Sequence, residues 1–246
     1  MYDDLILLSG NDIPFESAKL IIHQPTIKEI AFLSEEVFFA GCELLKFSKD
    51  RLKEEDKIHL EKLTNFDILM SIILTQDAEM QKKKTYIQMV LSLLFPQLTI
   101  SFNPSAILLK DNEGQEFQID NSNFEEFKRI LDEMFCLKAG EGEGADYNPQ
   151  DALAERIARK LNARRQKLNE IKSDSKKVAI FSRFVSILAV GLQKDMNSLL
   201  NYTVYQLFDE FNRYELKMSY DIYFQAKMAG AKDLKEVEDW MKDIHS

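Results

Sequence analysis

Cysteine and histidine are scarce in this chain, and long apolar runs and catalytic motifs are missing from it. Each shortage closes off a class of protein. Of 246 residues only two are cysteine and three histidine. Cys42 and Cys136 have no CxxC spacing and no histidine nearby, so neither a disulfide framework nor a zinc site is indicated, and both read as buried free thiols in a reducing compartment. His23, His59 and His245 have no partner at metal or triad spacing, and no HExxH, GxSxG or P-loop pattern occurs. Adjacent carboxylates such as Glu35-Glu36 and Glu125-Glu126 would diverge on a helix and read as solvated faces, not as an acid/base pair. No catalytic residue, metal ligand or cofactor site is expected, and the chain is read as non-enzymatic. The longest apolar run, 178–192, contains Arg183 and is shorter than the ~20 residues a membrane helix needs. The start, Met1-Tyr2-Asp3-Asp4, is acidic where a secretory signal is basic. A protein outside the membrane, in the cytoplasm, is the expectation.

What the chain does contain is ample material for a core. Apolar residues make up 45% and charged residues 30%, the proportions of an ordinary globular protein. The net charge of −9 disfavours nucleic acid as a partner of the whole molecule, because polyphosphate is repelled.

Periodicity predicts an α+β, mainly helical protein in two modules. Residues 1–138 read as the first, with short antiparallel strands plus helices. A hairpin is expected from 5–8 and 19–22, turning through Ser9-Gly10-Asn11-Asp12. Thr26 with Glu29 is a capping box that opens a helix, with Ser34 as its interruption before a second apolar stretch over 37–47. Thr64 with Asp67, and then Asp77, start two further helices, the second ended by Pro96. Beyond it the period falls to two: Leu98, Ile100 and Phe102, then Ile107 and Leu109 facing Phe117 and Ile119 across an Asp111-Asn112-Glu113-Gly114 turn. Ser122 and Glu125 form a further box. Residues 139–147 hold three of the eight glycines among glutamates and read as a flexible linker. Residues 148–246 read as an all-helical second module, with a buried helix over 178–192 and a Thr203/Gln206 capping box opening a long helix that closes at Gly230.

Two stretches of the second module are candidates for contact with partners. Residues 151–177 carry nine basic and four acidic side chains, a local charge of +5 that leaves −14 for the remainder. Arg156, Arg159, Lys160, Arg164, Arg165 and Lys167 form its basic patch, beside a narrow stripe of Leu153, Ile157, Leu161, Leu168 and Ile171. An acidic protein surface, a plain solvated face and nucleic acid all fit this patch, and the absence of stacking aromatics counts against the last. The second stretch is the aromatic helix, with Tyr205, Phe208, Phe211, Tyr214, Tyr220, Tyr223 and Phe224, followed by Trp240. Its apolar groups fall on more than one side, so it must be covered on more than one side. Either it is a central core helix, or these residues form a protein-binding surface.

The stretch Ile22-His23-Gln24-Pro25-Thr26-Ile27-Lys28-Glu29-Ile30 resembles the x-Q-P-T-x-x-E-I opening of small proteins encoded near the tail genes of long-tailed phages of Gram-positive bacteria. The aromatic segment from Tyr205 to Ala231 and the closing Glu238-Asp239-Trp240-Met241 resemble the C-terminal end of the same proteins. The group is the tail assembly chaperones and other tape-measure-associated morphogenesis proteins. The resemblance implies binding to the long helical tape measure protein, or to other tail proteins, in the cytoplasm of the bacterial host, with self-association as a further partner class. A structural tail or baseplate component of the virion is the alternative, and a nucleic-acid-associated regulator acting through 151–177 stands behind it.

Overall fold

Thr26 and Glu29 are three residues apart, and the structure closes the box they predict. Thr26 Oγ1 accepts from the Glu29 amide, and the Glu29 carboxylate accepts from the Thr26 amide at 2.8 Å. The computed structural model in which this is seen describes residues 4–49, 62–136, 180–230 and 239–241. Helix α1 (Asp4–Ser9) precedes a hairpin of β1 (Ile13–Phe15) and β2 (Leu20–Ile22). Helices α2 (Ile27–Leu33), α3 (Glu35–Leu45), α4 (Asn65–Leu74) and α5 (Ala78–Leu94) follow. Strands β3 (Thr99–Asn103), β4 (Ala106–Lys110) and β5 (Glu116–Asp120) form one antiparallel sheet in chain order, and α6 (Phe124–Met134) comes next. Helices α7 (Ile180–Leu192), α8 (Met196–Leu200) and α9 (Val204–Met228) complete the described fold, which is α+β and mainly helical as expected.

Most predicted starts hold because a cap is a local interaction. Thr64–Asp67 and Thr203–Gln206 close as boxes, and Asp77 caps α5. Ser34 divides α2 from α3 with φ +76°. The strand pairs also form as read, with Ile107 opposite Ile119 and Leu109 opposite Phe117. Two expectations need correction. Residues 5–8 are helical, and the hairpin lies further on, pairing Ile13 with Ile22 and Phe15 with Leu20. A four-residue apolar run does not reveal its period, and here one helical turn suffices to bury Leu7. Ser122 and Glu125 do not form a box: Ser122 Oγ donates to Asp120, while Glu125 accepts from Lys128 and Asn65. Asn123 takes the N-cap position without a capping bond from its side chain.

The core is one continuous apolar cluster that runs from Leu7 and Phe15, through α3 to α6, to Phe181, Leu188 and Leu207. Phe38 lies within it, its ring 5.0 Å from Phe135 and 5.9 Å from Phe181. Cys42 is buried there as a free thiol and burial pushes its proton affinity up, while Cys136 is half-buried. Lys46, nearly inaccessible to solvent, forms an ion pair with Asp132 of α6. Contact between α3 and α5 depends on Gly41. A Cβ there would stand 2.5 Å from Val90 Cγ2 and 2.7 Å from the Tyr86 carbonyl oxygen, so the two helices approach backbone to side chain.

The C-terminal helices are bonded into this body. The Glu35 carboxylate accepts from the Phe181 and Ser182 amides at 3.0 Å each and so caps the start of α7 across the chain. Thr26 and Thr203, the N-caps of α2 and α9, face each other in an antiparallel bridge, with the Ile27 amide donating to the Tyr202 carbonyl at 2.9 Å. Gln24 reaches back to the Ile6 and Asn11 carbonyls, and Gln206 donates to the Leu8 carbonyl. The linker expected at 139–147 and the basic patch Arg156, Arg159, Lys160, Arg164, Arg165 and Lys167 lie outside the described residues.

Beside this seam His23 has partners that its sequence spacing does not reveal. Nδ1 stands 2.9 Å from Asp12 and Nε2 3.3 Å from Glu29. Burial on its own would lower the proton affinity of the ring, but the bonds to and charges of Asp12 and Glu29 outweigh it, and the pKa is raised above 6.5. Burial likewise pushes the Glu29 carboxyl up, and the Thr26 and His23 bonds more than reverse it, holding it below its ordinary 4.5.

Two outcomes follow from this packing. Gly41→Ala gains about 1 kcal/mol of helix propensity but overpacks a backbone contact, so a net loss of about 1–3 kcal/mol is expected, read as a lower urea midpoint at unchanged slope. The His23 contribution is complete below about 6.5 and is lost as pH rises through the raised value. The Glu29 contribution is complete above its ordinary range and is lost as pH falls. Unfolding midpoints across pH 4–9 should therefore peak on the mildly acidic side, and His23→Gln should flatten the alkaline decline; an unchanged decline in that variant would assign it elsewhere.

Candidate protein-binding surface

Helix α9 carries most of the predicted aromatic surface, and its two halves have different surroundings. Its first half is part of the core. Val204, Tyr205 and Leu207 are buried, and the Tyr205 hydroxyl donates to Asp4 at 3.2 Å. Burial first, and the Asp4 charge second, raise the proton affinity of this phenol, which stays neutral. Phe208 meets Phe181 and Phe184 edge-on, and Phe211 stacks on Phe184 with centroids 3.8 Å apart and planes within 6°. The Tyr214 ring lies over Gly191 so closely that a Cβ at 191 would be 2.3 Å from its hydroxyl oxygen. Lys194, just past α7, then forms an ion pair with Glu210 of α9 and a 2.9 Å bond to the hydroxyl of Tyr202, ahead of that helix.

The ring contacts run from 181 with 208 to 191 with 214, and α7 ends at Leu192. Beyond Tyr214, therefore, α9 extends past the helix that covers it. Tyr220 and Tyr223 are half-buried and Phe224 is exposed; the three rings pack on one another, with centroids 4.6 Å apart for 220 and 224 and 5.9 Å for 223 and 224. Lys227 sits over the Tyr223 ring, 5.6 Å from its centroid. Trp240 is half-buried, and its carbonyl accepts from Arg213 at 3.5 Å, so the chain returns to the level of Arg213 after Gly230. The predicted set is thus divided: Tyr205, Phe208, Phe211 and Tyr214 hold the helix in place, Trp240 stands at the level of Arg213, and Tyr220, Tyr223 and Phe224 gather on the far half of the helix. Met218, Ile222 and Met228, left out of that set, are exposed there. Helical spacing puts Val204, Leu207, Phe211, Tyr214, Met218 and Ile222 along one face, but spacing does not tell where the covering helix stops.

Among the described residues no group of three or more His, Cys, Asp or Glu is placed to hold a metal ion. None of the described helices is long and apolar enough to cross a membrane. The arrangement is that of a helical arm with a fixed root and a far half that exposes Met218, Ile222, Phe224 and Met228. Residues 172–245 match the family model described as the YomV second domain. The C-terminal segment is therefore similar to a phage-related domain, over less than a third of the chain, and α7, α8 and α9 are its described part. No curated protein and no solved structure matches the chain.

The division of α9 can be tested by stability. Phe211→Asp combined with Tyr214→Asp should cost about 3 kcal/mol or more, because it places charge against Phe184 and Gly191. Ile222→Asp should stay within about 0.5 kcal/mol of the parent. Equal effects in chemical denaturation would show that both halves belong to the core.

Proposed function

We propose that the protein is a phage tail assembly chaperone that binds the tape measure protein and keeps it soluble while the tail forms. The observation that carries this reading is a coincidence of place: the segment similar to a phage-related domain is the one that contains the arm with exposed apolar surface. A tape measure protein is a very long helical chain, and its apolar faces are exposed until tube subunits enclose it. A chaperone for such a client needs apolar and aromatic surface held on a rigid support, and no chemistry. Met218, Ile222, Phe224 and Met228 on an arm rooted in the core meet that need. The chain acts in the host cytoplasm, without a cofactor, and its role ends when the tail is complete.

Affinity purification of the tagged protein from phage-producing cells, followed by mass spectrometry, tests this directly. The expected result is recovery of a very long helical protein with the tagged chain, and absence of the chain from purified virions. Stoichiometric presence in virions would make it a structural tail or baseplate component. Recovery of nucleic acid with a steep salt dependence would make it a regulator.

A further inference from the structure

The free half of α9 has a charge pattern as well as an apolar one. Fourteen residues, 215–228, follow Tyr214 in the helix, a length of about 21 Å at the usual rise. Met218 is 42% exposed and Ile222 61% exposed, and they continue without a break the stripe that is buried at Val204 and Leu207. Val190, 79% exposed in the last turn of α7, adds apolar surface where the cover ends. At about 100° per residue, Glu215 flanks the Met218–Ile222 stripe on one side and Asp221 on the other, and both are exposed. Of the two lysines of the segment, Lys227 falls on the opposite face and is engaged over Tyr223, while Lys217 lies one turn before Asp221, on the side of it away from the stripe. An apolar strip with an acidic border on each side is what remains.

From this face we infer the chemistry of the client. Met218 and Ile222, bordered by Glu215 and Asp221, form the docking site for a basic amphipathic helix of the partner protein, one with apolar residues at i and i+4 between lysines or arginines. The inference rests on the chaperone reading for the identity of the client, but the docking chemistry stands on α9 alone. Helix-in-groove pairing buries the apolar strip, and the flanking charges choose the partner and its register. A second copy of this chain fits less well: a parallel pair sets acidic border against acidic border, and in an antiparallel pair Lys217 can answer Asp221 but no basic residue of the copy's described α9 answers Glu215. Charge complementarity therefore selects a basic helix over self-pairing.

The test uses the full chain and two synthetic 21-residue peptides with the same leucine stripe, one flanked by lysine and arginine and the other by glutamate. In fluorescence anisotropy the basic peptide should bind at least about tenfold more tightly than the acidic one, and less tightly as salt rises. Met218→Asp with Ile222→Asp, which leaves the unfolding midpoint in place, should weaken that binding about tenfold or more. Glu215→Lys with Asp221→Lys should reverse the preference towards the acidic peptide. Equal binding of both peptides, or full binding by the Met218/Ile222 double variant, overturns the proposal. So does a concentration-dependent dimer in sedimentation that the same variant abolishes, since the occupant would then be a second copy. Peptide binding that appears only after Arg156, Arg159 and Lys160 are changed to glutamate overturns it too, because the chain's own basic stretch would then be the occupant. The two readings fail separately. Peptide docking without recovery of the tape measure protein removes the chaperone and leaves the face. Recovery of the tape measure protein by the Met218/Ile222 double variant removes the face and leaves the chaperone.

Discussion

An α-helix begins with amides that have no partner inside the helix, and in this protein those amides join the two ends of the chain. The Glu35 carboxylate satisfies the first amides of α7 from 146 residues away, and Thr26 and Thr203 cap their own helices while facing each other. Each cap is worth only about 1 kcal/mol, yet together they set where α7 and α9 meet the body. Everything beyond depends on that placement. Phe38, Phe135 and Phe181 can share one cluster because α7 starts against Glu35, and Phe184 can stack on Phe211 because α9 starts beside α2. The Gln24-Pro25-Thr26 stretch is thereby explained as structure: Gln24 holds the loop after α1, and Thr26 holds both α2 and the approach to α9.

His23 adds a condition to this seam. Its imidazolium stands between Asp12 and Glu29, and Glu29 is also the residue that closes the α2 cap. Once the ring is neutral, one of its nitrogens turns a lone pair toward a carboxylate, and an attraction becomes a repulsion. The pair is partly exposed, so solvent moderates the effect. It still acts at the point where the N-terminal hairpin, α2 and the C-terminal helices come together.

How far the sequence could be read depends on the range of the interaction. Capping boxes at Thr26, Thr64 and Thr203 are encoded within four residues, and the alternation of β3 to β5 within ten; both appeared as expected. The helix at 4–9 was hidden because four apolar residues fit a strand as well as a turn, and the decision came from packing on α9. Ser122 and Glu125 had the spacing of a box, but nearer or stronger partners, Asp120 and Lys128, took their side chains. The carboxylates around His23 and the Glu35 cap are assembled by the fold from distant positions, so no local pattern announces them. The aromatic helix was legible as a helix with apolar groups on several sides. Where its core half ends was not, since that is set by the length of α7 and by Gly191 beneath Tyr214.

That boundary also gives the arm its physical advantage. A free helix of fourteen residues is marginal in water, because its nucleation is costly and few bonds follow. Residues 215–228 avoid that cost: they extend a helix already capped at Thr203 and already packed through Leu207 and Phe211. The apolar strip at Met218 and Ile222 is thus shaped in advance, and the docking proposed for it would spend no binding energy on ordering it. The same packing that withdraws Phe211 and Tyr214 from the surface holds the residues beyond them in helical register. Sequence statistics alone would weigh all these aromatics alike; the fold packs the first half of the helix into the core and leaves Met218, Ile222 and Phe224 exposed on the second.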